Sequence, residues 1–222
     1  MPVKRIPIGC RSFDELLGGG IECGSVTLFY GEAGTGKTNI CLQTAYNVAK
    51  TGMKVAYLDT EGLSYDRINQ VFGDDKEAIR NLLVFQIHSF EEQADRIAKV
   101  VRLSQANDKI GLIIVDSLTM FYRLNSDDTS ARNELTKESE MLLTAARRSD
   151  VPVMITSQVY TNIGSGTIEF LGGHALHHNA KTIIRLDKVY KGKRTATIIK
   201  HRSLPEGRKV GYQIVESGIE SD

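Results

Sequence analysis

The sequence predicts an α/β fold: a mostly parallel twisted sheet flanked by helices, with antiparallel strands at its C-terminal edge. Three observations carry that expectation. Short β-rich apolar runs alternate with segments whose apolar residues recur at helical spacing, as a parallel sheet with crossover helices requires. One run, residues 112–116, is apolar at every position before its aspartate, as in a strand covered on both faces. After Asp187 the pattern changes to two β-rich runs divided by Lys/Gly-rich and Pro-Glu-Gly turns, which reads as antiparallel pairing.

The first strand is expected over residues 25–30, "SVTLFY", ending at a cluster of glycines. Residues 37–50 follow as a helix, with Ile40, Ala45, Val48 and Ala49 at helical intervals. Strands are expected over residues 54–59 ("KVAYLD") and 82–87 ("LLVFQI"). Between Phe90 and Gln105, Ile97, Val100, Val101 and Leu103 mark an amphipathic helix with Ser89 as its N-cap. The strand at 112–116, a helix over about 132–148 and the strand "PVMITS" at 152–157 complete the alternation. "TATIIKH" and "VGYQIV" then supply the antiparallel edge.

A chain of 222 residues suits one domain spanning 1–222, with a substantial core. Lys and Arg number 28 against 27 Asp and Glu, so average charge points to no polyanionic partner. The distribution is uneven: ten basic residues lie between Lys181 and Lys209 against only Asp187 and Glu206, a local excess that attracts phosphate. The three cysteines form no Cys-x-x-Cys pair, which argues against a disulfide framework or a zinc site. No apolar run approaches membrane-spanning length, so a cytoplasmic protein is expected.

The glycines that end the first strand belong to Gly31-x-x-x-x-Gly36-Lys37-Thr38, the phosphate-binding loop pattern, in the strand–loop–helix context it requires. Backbone N–H groups of Gly31, Glu32, Ala33, Gly34, Thr35 and Gly36 can curl around a phosphate, with Asn39 in the first turn of the helix behind. Lys37 neutralises phosphate charge and Thr38 offers a hydroxyl to Mg²⁺, so ATP and Mg²⁺ are the expected ligands. Asp116, at the carboxyl end of its strand, is the second group expected at the metal. Glu61, in the turn after "YLD", is the candidate to orient water, with Asp59 as competitor. Gln158 ends another strand and can sense a terminal phosphate.

"GGGIECGSVTLFYGEAGTGKT", "YLDTEG", "LIIVDSLT", "ITSQV", "GGHALHHNA" and "LPEG" occur in the order seen in RecA-type recombinases. Over nearly the whole chain the sequence resembles archaeal RadA and, above all, its shorter RadB branch. The resemblance implies a RecA-like ATPase core with Lys37 and Thr38 on phosphate and metal. It implies Asp116 in the metal-holding role, Glu61 activating water and Gln158 coupling nucleotide to DNA. It further implies an accessory role in recombination and repair, low ATPase activity, self-association, and contacts with DNA, RadA and a Holliday-junction resolvase. No helix-hairpin-helix domain and no Phe-x-x-Ala docking motif precede the core here, which matches the short branch.

Departures from the longer relatives set further expectations. After Glu61 the chain is one residue shorter, and Tyr65 is expected to offer an aromatic face to the base in place of the family's arginine, with Arg67 on the helix that follows. By alignment the family's DNA loops fall at about 124–132 and 161–173. The first is acidic, leaving Arg123 and Arg132 as phosphate contacts, and the second has no basic residue. Lys191, Lys193 and Arg194, in the turn with Tyr190, are the remaining DNA candidates, or else a solvated hairpin tip. His174 is expected at a subunit interface. KaiC and hexameric helicases carry a Lys-x-Arg like Lys200 and Arg202, which are expected to share a strand face and reach a neighbouring subunit's phosphate. A KaiC-like regulatory ATPase that does not act on DNA is the alternative function.

Overall fold

The computed structural model describes residues 3–106, 109–124, 129–161 and 168–222. In chain order the elements are β1 (Arg5–Ile6), α1 (Arg11–Leu16), β2 (Ile21–Glu22), β3 (Val26–Gly31), α2 (Lys37–Ala49), β4 (Lys54–Asp59), α3 (Tyr65–Phe72), α4 (Lys76–Asn81) and β5 (Leu82–Gln86). They continue with α5 (Phe90–Ala106), β6 (Ile110–Asp116), α6 (Met120–Leu124), α7 (Thr129–Ser149), β7 (Val153–Ser157), β8 (Val159–Thr161), β9 (Ile168–Phe170) and α8 (Gly173–Asn179). The C-terminal part holds β10 (Thr182–Lys188), a short 3₁₀ turn at Tyr190–Gly192, β11 (Arg194–Lys200), β12 (Lys209–Val215) and β13 (Gly218–Ser221).

The main sheet runs β13-β12-β11-β10-β3-β7-β6-β4-β5. From β10 to β5 every pairing is parallel, and from β10 to β13 every pairing is antiparallel. Strands β3, β6 and β7 are buried on both faces, which is why they read as continuous apolar runs. One face carries α1, α2, α3 and α4, packed on Phe29, Tyr57, Leu112, Ile114 and Tyr212. The other carries α5, α7 and α8, packed on Leu28, Leu58, Ile113, Val115 and Ile183.

Ser89 caps α5 as expected: its Oγ accepts from the Glu92 N–H at 3.1 Å, and Glu92 reaches back to the His88 N–H at 2.9 Å. The helix expected from residue 132 starts earlier, at Thr129, and an additional edge strand, β13, closes the C-terminus. Arg67 lies on α3, the helix expected after Glu61, whereas the short helices α1, α4 and α8 have no counterpart among the expected elements. At six or seven residues each is too short to display a full apolar stripe, so tertiary packing decides it. All three cysteines are free and buried, and no helix among the described residues is long and apolar enough to cross a membrane.

Candidate functional site

The carboxyl ends of β3, β4, β6 and β7 meet at one edge of the sheet, where ligands bind in open α/β folds. β3 delivers the glycine-rich loop. Gly31 pairs with Leu186 of β10 so closely that an added Cβ would lie 2.3 Å from the Leu186 carbonyl oxygen. Only glycine fits there. Gly36, with φ +99°, makes the left-handed turn that swings the chain into α2. The far side of the loop is held from below by Tyr212, whose hydroxyl donates to the Thr35 carbonyl at 2.6 Å.

Lys37 folds back over the loop and donates to the carbonyls of Gly31 at 2.7 Å and Glu32 at 3.2 Å. Burial pulls its ammonium below the usual lysine range, while Glu61 and Asp116 draw it back up. Thr38 donates its hydroxyl to Asp116 Oδ2 at 2.7 Å, so the two groups expected at the metal touch. Asp116 also receives the Tyr57 hydroxyl at 2.7 Å and, on Oδ1, the Thr156 hydroxyl at 2.5 Å. Sequence reasoning missed Tyr57 and Thr156, because a hydroxyl inside an apolar strand gives no periodic signal.

β4 ends in Asp59, and here the structure separates two candidates. Asp59 is buried, and its carboxylate accepts the backbone N–H groups of Glu61, Gly62 and Leu63 at 3.1, 3.0 and 2.6 Å. It shapes the turn. Glu61 itself is exposed, and its carboxylate accepts from Gln158 Nε2 at 3.0 Å. Gln158 is anchored by its own N–H to Thr119 Oγ1 at 3.0 Å, and its carbonyl accepts from Leu171 at 3.0 Å. It therefore bridges Glu61 to the β8–β9 hairpin, whose connection at residues 162–167 lies outside the described residues.

Thr38, Asn39, Glu61, Arg67, Asp116 and Ile214 line a cleft of about 430 Å³ beside the loop. Tyr65 is not among its walls. It is 74% exposed and borders a separate depression with Val84, His88 and Arg96. Tyr65 opens α3 on the side of that depression, and Arg67 takes the cleft instead. The Arg67 guanidinium donates to Asn39 Oδ1 at 2.5 Å and to the carbonyls of Val215 and Glu216 at 2.9 and 2.8 Å. A larger hollow of about 450 Å³, lined by Ile6, Cys23, Val48, Met53 and Val151, opens at the opposite end of the strands and contains none of these groups.

The donor set at the cleft fits Mg²⁺ with a nucleotide. A hard cation takes carboxylate and hydroxyl oxygens such as Asp116 and Thr38, and a phosphate takes the loop amides and the Lys37 ammonium. The cavity Arg67, Ile214 and Asn39 enclose has room beside the loop for the rest of such a ligand.

The remaining candidates divide. Arg123 on α6 and Arg132 in the first turn of α7 are exposed at the same sheet edge, flanking residues 125–128, which lie outside the described residues. The side chain of Lys191 also lies outside them. Lys193 pairs with Asp222 at 2.6 Å, and Arg194 donates to the Gly34 carbonyl at 3.0 Å, so these two cations of the basic turn are engaged within the chain. His174 is exposed on α8 and stacks on His178 with ring centres 6.3 Å apart.

Lys200 and Arg202 do not share a face. β11 ends at Lys200, so strand alternation no longer governs Arg202. The Lys200 ammonium donates to the carbonyls of His177 and Ala180 at the end of α8. Arg202 pairs with the buried Glu22 at 2.6 Å, and Arg5 joins the same carboxylate at 2.9 Å. Burial alone would raise the Glu22 pKa, but Arg202, with His201 and Arg5, brings it below the usual carboxylate value.

A sequence model of the family described as Rad51 matches residues 2–222. The protein described as "DNA repair and recombination protein RadB" from Methanococcoides burtonii is 45% identical over 215 residues, covering 95% of each chain. The protein of the same description from Archaeoglobus fulgidus is 43% identical over 219 residues, covering 97% of each chain. Among solved structures, the "Crystal structure of the RadB recombinase" superposes with a TM-score of 0.87 at 34% identity, covering 98% of this chain and 99% of that one.

Proposed function

This chain belongs to the Rad51 family, and from that premise we propose that it is an ATP- and Mg²⁺-binding, slowly hydrolysing accessory protein of DNA recombination and repair. The observation that carries the proposal is the hydrogen-bonded link from Glu61, in the wall of the cleft beside the loop, through Gln158 to the β8–β9 hairpin. Bound Mg²⁺ and ATP supply a reactive phosphoanhydride. Lys37 and the loop amides hold its charge, and Thr38 and Asp116 hold the metal. Glu61 orients and deprotonates water, and Gln158 reports the state of that carboxylate to the hairpin at the family's second DNA loop. Arg123 and Arg132 are the phosphate contacts, with DNA of either strandedness as ligand. RadA, a Holliday-junction resolvase and further copies of this chain are the proposed protein partners. The relatives named for DNA repair and recombination support this reading.

A low-salt DNA titration with and without ATP tests it. A salt-sensitive complex that responds to ATP is expected, because phosphate contacts release counterions. Loss of the ATP response in Lys37→Ala ties it to the loop. The engaged cations Lys193 and Arg194 favour a second reading, a KaiC-like regulatory ATPase, and absence of any DNA complex at low ionic strength would select it.

A further inference from the structure

The hairpin β10–β11 is locked to the phosphate-binding loop at its root, where Leu186 pairs with Gly31. Beyond that point the loop departs and β10 runs on for two residues to Lys188, which pairs directly with Arg194 of β11. Two cations therefore face each other across an antiparallel pair, an arrangement that costs stability unless something negative lies between or beside them. Both are turned to the loop. Arg194 Nε donates to the Gly34 carbonyl at 3.0 Å, and the Lys188 ammonium lies 3.5 Å from where a Cβ on Gly34 would sit. Lys188 is exposed, and its ammonium makes no hydrogen bond among the described residues. It is close enough to Lys37 for the two charges to repel. Glu32 and Asp187 share a small hollow of about 220 Å³ with Lys188, but Asp187 is paired with Arg185 at 2.9 Å. The chain has thus gathered Lys37, Lys188 and Arg194 around one exposed loop.

We propose that Lys188 is a second cationic contact for the terminal phosphate of a nucleoside triphosphate, and that Arg194 positions the loop for it through the Gly34 carbonyl. The proposal rests on the nucleotide-binding reading above and adds a specificity: discrimination of triphosphate from diphosphate by the chain's own hairpin. The loop amides hold phosphates common to both nucleotides and Lys37 spans the last two, whereas Lys188 approaches from the β10 side and adds a second cation for the extra charge of the triphosphate. Removing the like-charge pair's anion returns the hairpin to a repulsive arrangement, so the same contact makes the basic turn responsive to nucleotide.

The test measures equilibrium binding of ATP and of ADP, each with Mg²⁺, to the wild-type chain, Lys188→Ala and Lys188→Arg by fluorescence competition. The expected result for Lys188→Ala is ATP affinity about tenfold weaker with ADP affinity within about twofold, from loss of one charge-assisted contact. Lys188→Arg should restore most of the preference. Equal weakening of both nucleotides, or no change in either, overturns the proposal while leaving the nucleotide reading intact. Failure of the wild-type chain to bind either nucleotide overturns both. Far-ultraviolet circular dichroism on each variant separates loss of a contact from loss of fold.

Discussion

Asp116 receives hydroxyl donors from three elements: Thr38 on α2, Tyr57 on β4 and Thr156 on β7. A carboxylate buried at a strand end is tolerable only because these donors replace water. Thr156→Val keeps the shape and deletes the donor to Oδ1, leaving that oxygen to bear its desolvation cost. We expect a loss of about 1–3 kcal/mol in denaturant unfolding, with an unchanged m-value. Unaltered stability would show that Asp116 is hydrated from elsewhere. The carboxylate itself was legible in the sequence because it interrupts an apolar run at the sheet edge. Its supporting hydroxyls were not, since Tyr and Thr are ordinary strand residues. Glu61 is the candidate because it lies in the turn while Asp59 is still in the strand, but that three amides converge on Asp59 cannot be read from residue order.

The contact between α5 and α7 turns on a buried polar pair. Gln93 on α5 donates to Glu138 Oε2 on α7 at 2.7 Å and to the Leu118 carbonyl at 3.1 Å. Burial raises the Glu138 pKa from 4.5 to about 8, with the Gln93 hydrogen bond acting against the rise. Because the folded state binds this proton more tightly than the unfolded state, the group's contribution is fully present below about pH 4.5 and declines as pH rises towards 8. Glu138→Gln keeps an acceptor for Gln93 and cannot ionise. It should therefore stabilise the chain at pH 7 by on the order of 2–3 kcal/mol and leave it unchanged near pH 4. Thermal unfolding of both proteins from pH 4 to 9 checks this, and parallel curves would place the carboxyl in contact with water. The helices themselves were readable from spacing, α5 down to its cap. A buried carboxyl in α7 was not, because a glutamate on a helix is ordinarily solvated.

Across the whole molecule, Arg67 joins the N-terminal half to the last hairpin. Its guanidinium spans Asn39 at the start of α2 and the turn between β12 and β13. Arg67→Ala should free that turn and speed hydrogen exchange of the amides at 209–221 while the amides of β3 and β6 stay protected. The expected cost is about 1–3 kcal/mol, as for hydrogen bonds to a charged group. Uniformly faster exchange would mean that the hairpin and core open together. Nothing in the sequence joined residues 67 and 215, because that contact depends on β12 and β13 lying at the far edge of the sheet beside α2. The parallel order was visible from alternation, but placement of β10 beside β3 was not. That placement governs how the chain is made. β3 is flanked by β7 and β10 only, so no partner strand exists until residue 153, and the second arrives at 182–188. At synthesis rates of about 5–20 residues per second, the glycine-rich loop leaves the ribosome many seconds before the strand that seats it. During that interval β3 is an apolar strand with two open edges, and the loop has no fixed shape with which to hold an anion. Ligand binding therefore cannot assist the early steps of folding, and a chain released before residue 188 carries the whole motif without the surface that organises it.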